Sequence, residues 1–255
     1  AKSEIIKNIV DNGTVILNRD DKFYHYLKKK AQLNKIKVTS FGKSKFADIR
    51  LLKIKKNYNQ TKAFISIEEK KYQLQINDNN IYNVLAALAV VKVLNLNIKR
   101  ILNRFSNLQP TDGRGKLHTI KRYNKRFRLI DESYNANPLS VKTALNTFSS
   151  IKKDKSKKYL LLGDMLELGK RSKIYHMELS KLINRSDIDK VFIKGEKSLF
   201  TYKKLKKKKR GNIIQCFEDV DLVLKNIIAN NDYLMIKGSN ATGLKFISNV
   251  MKKGL

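Results

Sequence analysis

The sequence predicts an α/β protein in two parts: a mixed first part, and a second part built on a mostly parallel sheet. Three observations predict this. From residue 127 onward, short apolar runs ("FRLID", "KYLLLGD", "KVFIKG", "NIIQCF", "DYLMIKG") alternate with helical patterns. Continuous apolar runs of that kind belong to strands buried on both faces, and helices between them imply parallel crossovers. The ends of these runs ("DESYNANP", "GDMLELG", "KGEKS", "KGSNATG") are the most polar and glycine-rich turns in the chain. Lastly, "SNLQPTDGRGK" at 106–116 gathers Gly, Asp and one of only two prolines, which marks a domain boundary. The two parts are therefore residues 1–108 and 109–255.

In the first part, "GTVILNRDD" (13–21) reads as a strand ending in a polar turn. "KVTSF" (37–41), "AFISI" (63–67) and "KYQLQI" (71–76) read as strands, the last two joined by a tight polar turn. "NIYNVLAALAVVKVL" (80–94) is apolar on most of its surface, so it predicts a buried helix, and "IKRILNRF" (98–105) a second one. In the second part, helices are expected at 138–151, 172–185, 198–206, 218–230 and 242–253. Ligands of such sheets sit at the carboxyl ends of the strands. Geometry thus points to a site before any chemistry is named.

Composition narrows the function. No run approaches the ~18 apolar residues of a membrane span, and the first ten residues carry no long apolar core, so no membrane insertion or secretion signal is expected. The first residue is not Met, which suggests a processed product or a piece of a longer chain. The lone Cys216 rules out an internal disulfide; in a strand-like run it reads as buried filler, in keeping with a reducing cytoplasm. The 55 basic residues against 22 acidic ones raise nucleic-acid binding as an alternative. Arginine, the better reader of grooves and phosphates, is scarce, however, and the lysines are spread along the chain. The one dense run, "KKLKKKKR" at 203–210, reads as a solvated helix end or loop.

Two stretches approach a phosphate loop. "SFGKSKF" ends like one, but Lys37 stands where the first glycine is needed. "KGSNATGLKF" has Gly238 and Gly243 at the right spacing after a strand, but Leu244 replaces the lysine. Neither is intact. His25, His118 and His176 are far apart, with no paired metal-ligand spacing. His176 follows "GDMLELGKRS"; a surface histidine is the first reading, and a place facing the strand-end site the alternative.

"DESYNANP" is richer. Asp131 and Glu132 leave a buried strand where acids can meet ribose hydroxyls or a metal. Asn135 and Asn137 tolerate turns and offer donors and acceptors, and Pro138 suits the first turn of a helix. Asn137 alone would cap that helix. A cap does not account for two acids and Tyr134 upstream, so the stretch reads as a ligand site.

"IDESYNANPLS", "LLGDMLELG" and "KGSNATGL", in this order and on these strand ends, resemble the Mur ligase family, as do "VILNRDD", "NNIYNVLAALAV" and "GRGK". The resemblance runs over nearly the whole chain. It implies the end of a central ATP-binding domain followed by a whole Rossmann-like C-terminal domain. A UDP-binding domain, the P-loop, and the glutamate, histidine and carbamylated lysine that hold magnesium have no counterpart in this sequence. The implied activity is an ATP-dependent amide ligase of peptidoglycan precursor synthesis. It would add D-Ala-D-Ala to UDP-MurNAc-tripeptide through an acyl phosphate, as a cytoplasmic monomer using ATP and Mg2+. The present chain alone is expected to be inactive. Related ligases (one adding the third amino acid, or folylpolyglutamate synthase) are the nearest alternatives.

By the same resemblance, Asn80 and Asn83 match a pair opening the family's central helix, the second meeting adenine. Arg114 matches an arginine that reaches the ribose or phosphates. The acid before Ser133 matches a ribose-binding Asp; here it is Glu132 with Asp131 beside it, and either could serve. Tyr134, Asn135, Asn137, Lys237 and Ser239 fall on the substrate side. The family usually has a basic residue and a glycine where this chain has Asn240 and Ala241.

Overall fold

The computed structural model describes residues 2–57, 60–76, 81–107, 110–152 and 154–253. The chain divides into two compact units, Ala1–Gln109 and Pro110–Leu255.

The first unit holds one five-stranded sheet in the order β1 (Thr14–Asn18), β2 (Lys37–Gly42), β3 (Ile49–Asn57), β4 (Gln60–Ile67), β5 (Lys70–Ile76). The first three strands are parallel and the last three antiparallel. Glu68 and Glu69 both have positive φ (49° and 64°), the two-residue turn whose twist suits a hairpin. The period of two then does the sorting. Ala63, Ile65, Ile67, Leu74 and Ile76 face inward, onto helix α2 (Ile81–Val93) through Leu85 and Leu88. Phe64 and Gln73 alternate with them and face the other way. Helix α1 (Tyr24–Leu33) and strand β3 escape the sequence patterns. Both are lysine-rich on their outer sides, and β3 carries a bulge between Leu51 and Lys53 that breaks its alternation. Helix α3 (Ile98–Leu102) gives way to a 3-10 turn at Asn103–Asn107.

The second unit holds a six-stranded sheet. Its strands are β6 (Lys116–Arg122), β7 (Lys125–Glu132), β8 (Lys158–Gly163), β9 (Lys190–Lys194), β10 (Arg210–Ile213) and β11 (Tyr233–Lys237), in spatial order β10-β9-β8-β11-β7-β6. All neighbours are parallel except β6, which pairs antiparallel with β7 at the edge. Strand β8 is buried at every residue. Leu160 and Leu162 pack on one face with α4 (Pro138–Ser150), α5 (Ser172–Arg185) and α6 (Ser198–Lys203). Tyr159 and Leu161 pack on the other with α7 (Phe217–Ile227) and α8 (Leu244–Lys253). Each such aliphatic side chain stabilises the fold by about 1.5–3 kcal/mol relative to exposure.

Two expectations need correction. Cys216 is exposed. Strand β10 ends at Ile213 because the Gln215 and Cys216 N–H groups turn to the Asp219 carboxylate (2.7 and 3.3 Å), which starts α7. The run 203–210 is not simply a solvated end. Lys209 is buried, and its ammonium donates to the Ser186 and Ile188 carbonyls at 2.8 and 2.6 Å. Lys158 is likewise fully buried: it donates to Ser149 and Ile151 at the end of α4 and pairs with Asp187 at 2.6 Å.

Candidate active site

The parallel order puts the ends of β7, β8, β9 and β11 on one side of the second unit. Because β6 runs the other way, the loop before it, residues 110–115, lies beside the end of β7. Backbone bonds lock this loop onto the "DESYNANP" turn: Gly115 N–H to Asp131 O (2.7 Å) and Tyr134 N–H to Gly113 O (3.1 Å). Gly113 has φ +81°, and a side chain there would meet Tyr134 Cβ at 2.7 Å, so only glycine allows the contact. Between Gly113 and Gly115, the Arg114 guanidinium lies 4.7 Å from the centre of the Tyr134 ring, and the Lys245 ammonium 5.5 Å from it. Such stacking holds two cations at a partly exposed aromatic.

The two acids point to opposite faces, as strand alternation requires. Asp131 is 1% exposed. It accepts from Ser133 Oγ (2.6 Å) and pairs with Lys252 of α8 (2.8 Å). Burial would raise its pKa, but these bonds outweigh it and hold the carboxyl below the ordinary 3.8. Glu132 is partly exposed and pairs with Lys237 at 3.2 Å. Lys237 is buried and also donates to the Asn135 carbonyl at 2.5 Å. Burial lowers its pKa, opposed by Glu132 and reinforced by Arg114.

Asn135 is exposed, its side-chain oxygen accepting from the Ala136 N–H at 2.7 Å. Asn137 caps α4: its oxygen accepts from Ser140 N–H (2.8 Å), and Ser140 Oγ accepts in return from Asn137 N–H (3.0 Å). The capping role foreseen for Asn137 is thus present, worth about 1 kcal/mol. Ser239 is buried; its hydroxyl accepts from Leu166 N–H (3.0 Å) and donates to Ala136 O (3.4 Å). One side chain thereby ties together the turns after β7, β8 and β11.

His176 is fully buried, against the expectation of a surface residue. Its Nε2 accepts from the Met165 N–H (3.0 Å), which fixes the tautomer: Nδ1–H donates to Ser172 O at 2.8 Å. The histidine therefore shapes the "GDMLELG" turn from beneath. Asp164 in that turn accepts from Ser198 N–H (2.7 Å) and caps α6. The "SFGKSKF" loop is also explained. The Lys43 and Ser44 N–H groups that would bind a phosphate go to Asp20 at 2.6 and 3.0 Å.

Of the residues singled out in the sequence, Arg114, Asp131, Glu132, Tyr134, Asn135, Asn137, Lys237 and Ser239 all fall at this one end of the second unit. Asn83 is exposed on the first turn of α2 in the first unit, and Asn80 lies outside the described residues. Lys245, Lys252 and Ser133 were missed. The two lysines are seven apart on α8, one face of the helix that follows "KGSNATG", and that spacing was the available signal. Lys237 and Lys252 are paired with Glu132 and Asp131, which leaves Arg114 and Lys245, both over the Tyr134 ring, as the cations these strand ends can turn to an anionic ligand. Among the described residues no group of three His, Cys, Asp or Glu could hold a metal ion.

Comparison with known proteins bears on this arrangement. Residues 1–91 match the Mur ligase middle domain, and residues 115–240 the Mur ligase, glutamate ligase domain. A UDP-N-acetylmuramoyl-tripeptide–D-alanyl-D-alanine ligase of Rickettsia prowazekii is 27% identical over 96% of this chain and 54% of its own length. The enzyme of that name from Buchnera aphidicola of Acyrthosiphon pisum is 30% identical over 99% and 55%. The chain thus spans about half the length of the curated relatives it matches. The crystal structure of the MurF ligase from Thermotoga maritima in complex with ADP superposes with a TM-score of 0.76 at 22% identity, over 99% of this chain and 56% of that one; this establishes a common fold. With both of its units matched to successive domains of the same group of enzymes, the chain belongs to the Mur ligase family.

Proposed function

We propose that the protein to which this chain belongs joins D-alanyl-D-alanine to UDP-MurNAc-tripeptide, with ATP as the energy source. The observation that carries this reading is the "DGRG" loop wedged against the "SYNANP" turn, which gathers Arg114, Glu132, Tyr134 and Asn135 at the strand ends. In the reaction, the tripeptide carboxylate attacks the γ-phosphoryl group of ATP and ADP leaves. The dipeptide amine then attacks the acyl phosphate, an amide bond forms, and inorganic phosphate leaves. Arg114 serves the nucleotide's ribose or phosphates, and Glu132 a ribose hydroxyl. Asn83, with Asn80, serves adenine. Asn135 and Asn137 face the dipeptide. Lys237 and Ser239 act from below by holding the turns that carry these groups. The reading requires ATP with magnesium; the described residues form no magnesium site, so no step here is assigned to the metal. No helix among the described residues is long and apolar enough to cross a membrane. A monomer in the cytoplasm fits the small, soluble substrates.

The test is phosphate release by the protein expressed with whatever precedes Ala1 in its reading frame. D-Ala-D-Ala together with the UDP-tripeptide and ATP should support turnover. Turnover with a single amino acid or with a folate substrate would instead assign a related ligase. Salt-sensitive DNA binding with no nucleotide affinity would support a basic binding module.

A further inference from the structure

The outer face of the antiparallel half of the first unit's sheet takes no part in the proposed reaction. Its residues follow from register: Lys53 lies opposite Phe64, which lies opposite Gln73, and Lys55 lies opposite Lys62. The bulge in β3 adds Leu52 to this face, 37% exposed, beside Lys53. Bulges re-aim side chains in this way. Leu52, Lys53, Phe64, Lys71, Tyr72 and Gln73 line an open groove of about 400 Å³.

Two features of this face cost stability. Lys55 and Lys62 sit directly opposite one another, and like charges in that position repel. Among the described residues, Lys53, Lys55, Lys62 and Lys71 have no acidic partner within ion-pairing distance. The ammonium groups of Lys53 and Lys55 lie over the Phe64 ring instead, at 4.8 and 5.9 Å. An apolar centre with an uncompensated basic rim is complementary to an acidic chain with an apolar anchor.

We infer that the β3–β4–β5 face, centred on Leu52 and Phe64 and rimmed by Lys53, Lys55, Lys62 and Lys71, docks an acidic polypeptide segment that inserts an apolar side chain beside Leu52. A nucleic acid would use the lysines through its phosphates and leave Leu52 uncovered, so the oligonucleotide and the Leu52 substitution below separate it from an acidic polypeptide. A lipid surface needs a convex or flat contact, whereas this one is grooved.

The test uses the 255-residue chain and fluorescence anisotropy in 0.15 M salt. The probe is a labelled ten-residue peptide of alternating glutamate and leucine. The controls are the same peptide with serine for leucine, a single-stranded oligonucleotide of equal charge, and phosphatidylglycerol vesicles. The leucine peptide should bind at least tenfold more tightly than the serine peptide. Leu52→Ser, which leaves the charge unchanged, should weaken binding about tenfold, as burial of one aliphatic side chain implies. Lys53→Glu with Lys71→Glu should abolish it. Both substitutions are on exposed residues, and unchanged thermal melting of the variants keeps the comparison fair. Equal binding of both peptides, indifference to Leu52→Ser, or tighter binding of the oligonucleotide or the vesicles through the same lysines would overturn the proposal.

Discussion

Replacing Asp131 by asparagine should destabilise the second unit by about 2–3 kcal/mol without touching the chemistry. The magnitude follows from the carboxylate's surroundings. It is 1% exposed, accepts from Ser133 and pairs with Lys252 at 2.8 Å. A hydrogen bond to a charged group is worth about 1.5–3 kcal/mol. Removing one partner of a fully buried ion pair costs about 3–5 kcal/mol. The expected loss sits below that upper range for two reasons. Asparagine keeps an oxygen that can accept from Ser133, and Lys252 retains Asp112 at 3.5 Å. For a domain of this size the loss corresponds to a fall in Tm of about 4–12 °C. Thermal and urea denaturation measure it, and the double variant with Lys252→Met isolates the pair: the two losses should be strongly non-additive. The pH arm has a definite sign. A carboxyl held below 3.8 stabilises the fold above that pH and loses the contribution as pH falls through the folded value. The wild type should lose stability on acidification below about pH 4 more steeply than the Asp131→Asn variant. A variant melting within about 1 °C of the wild type, or strict additivity with Lys252→Met, would refute the reasoning.

The other predictions concern neighbouring parts of the same unit. Glu132→Gln in the longer parent should raise the KM for ATP by about tenfold or more, while Asp131→Asn changes it little; the opposite order, by steady-state kinetics, would exchange the roles of the two acids. Ser239→Ala should cost about 1–3 kcal/mol by leaving the Leu166 N–H unpaired, and hydrogen exchange at Leu166 should accelerate; unchanged exchange would show that the turns are not tied through this hydroxyl. Tyr159, buried and near Asp232 and Asp189, has its phenol pushed up to about 12. Stability from this group is full below pH 10 and lost between 10 and about 12, read as a falling urea midpoint; a flat alkaline limb in wild type relative to Tyr159→Phe contradicts it. The 255-residue chain by itself should form no ADP from ATP, because no P-loop lysine is present to hold the terminal phosphates; ADP formation abolished by an Arg114 substitution would reverse that expectation.

The parallel core was legible because burial on both faces favours apolar residues: β8 and β11 are apolar except for Lys158 and Lys237, and the helical patterns between such runs imply an α/β layer. Elements half in solvent were not. Strands β3 and β6 and helix α1 give their outer positions to lysine and other polar residues, and at β3 the bulge removes even the alternation. The turns that make up the candidate site were legible for a different reason. Turns at the ends of parallel strands need glycine, asparagine and acids, and these stand out against apolar runs. The division of labour inside the site was hidden. Nothing near Asp131 in sequence announces Lys252, which lies 121 positions away. Likewise, nothing near His176 says that its ring receives the Met165 N–H. Such pairings are tertiary facts: they bury Asp131 against Lys252 and leave Glu132 partly exposed beside Lys237.

The buried lysines carry a consequence for anyone altering this protein. Lys158, Lys209 and Lys237 are buried and donate from one ammonium nitrogen to main-chain carbonyls, Lys158 and Lys237 also pairing with an acid. A planar guanidinium is wider and directs its donors in a fixed fork, so arginine would force these carbonyls apart while leaving the net charge of +33 untouched. A charge-preserving lysine-to-arginine scan would therefore divide the basic residues sharply: most would be silent, and these three would behave like substitutions in the apolar core. An isoelectric point or an electrostatic surface map would miss the difference, because the charge of these three buried ammonium groups acts as mortar between turns, unlike that of the exposed lysines.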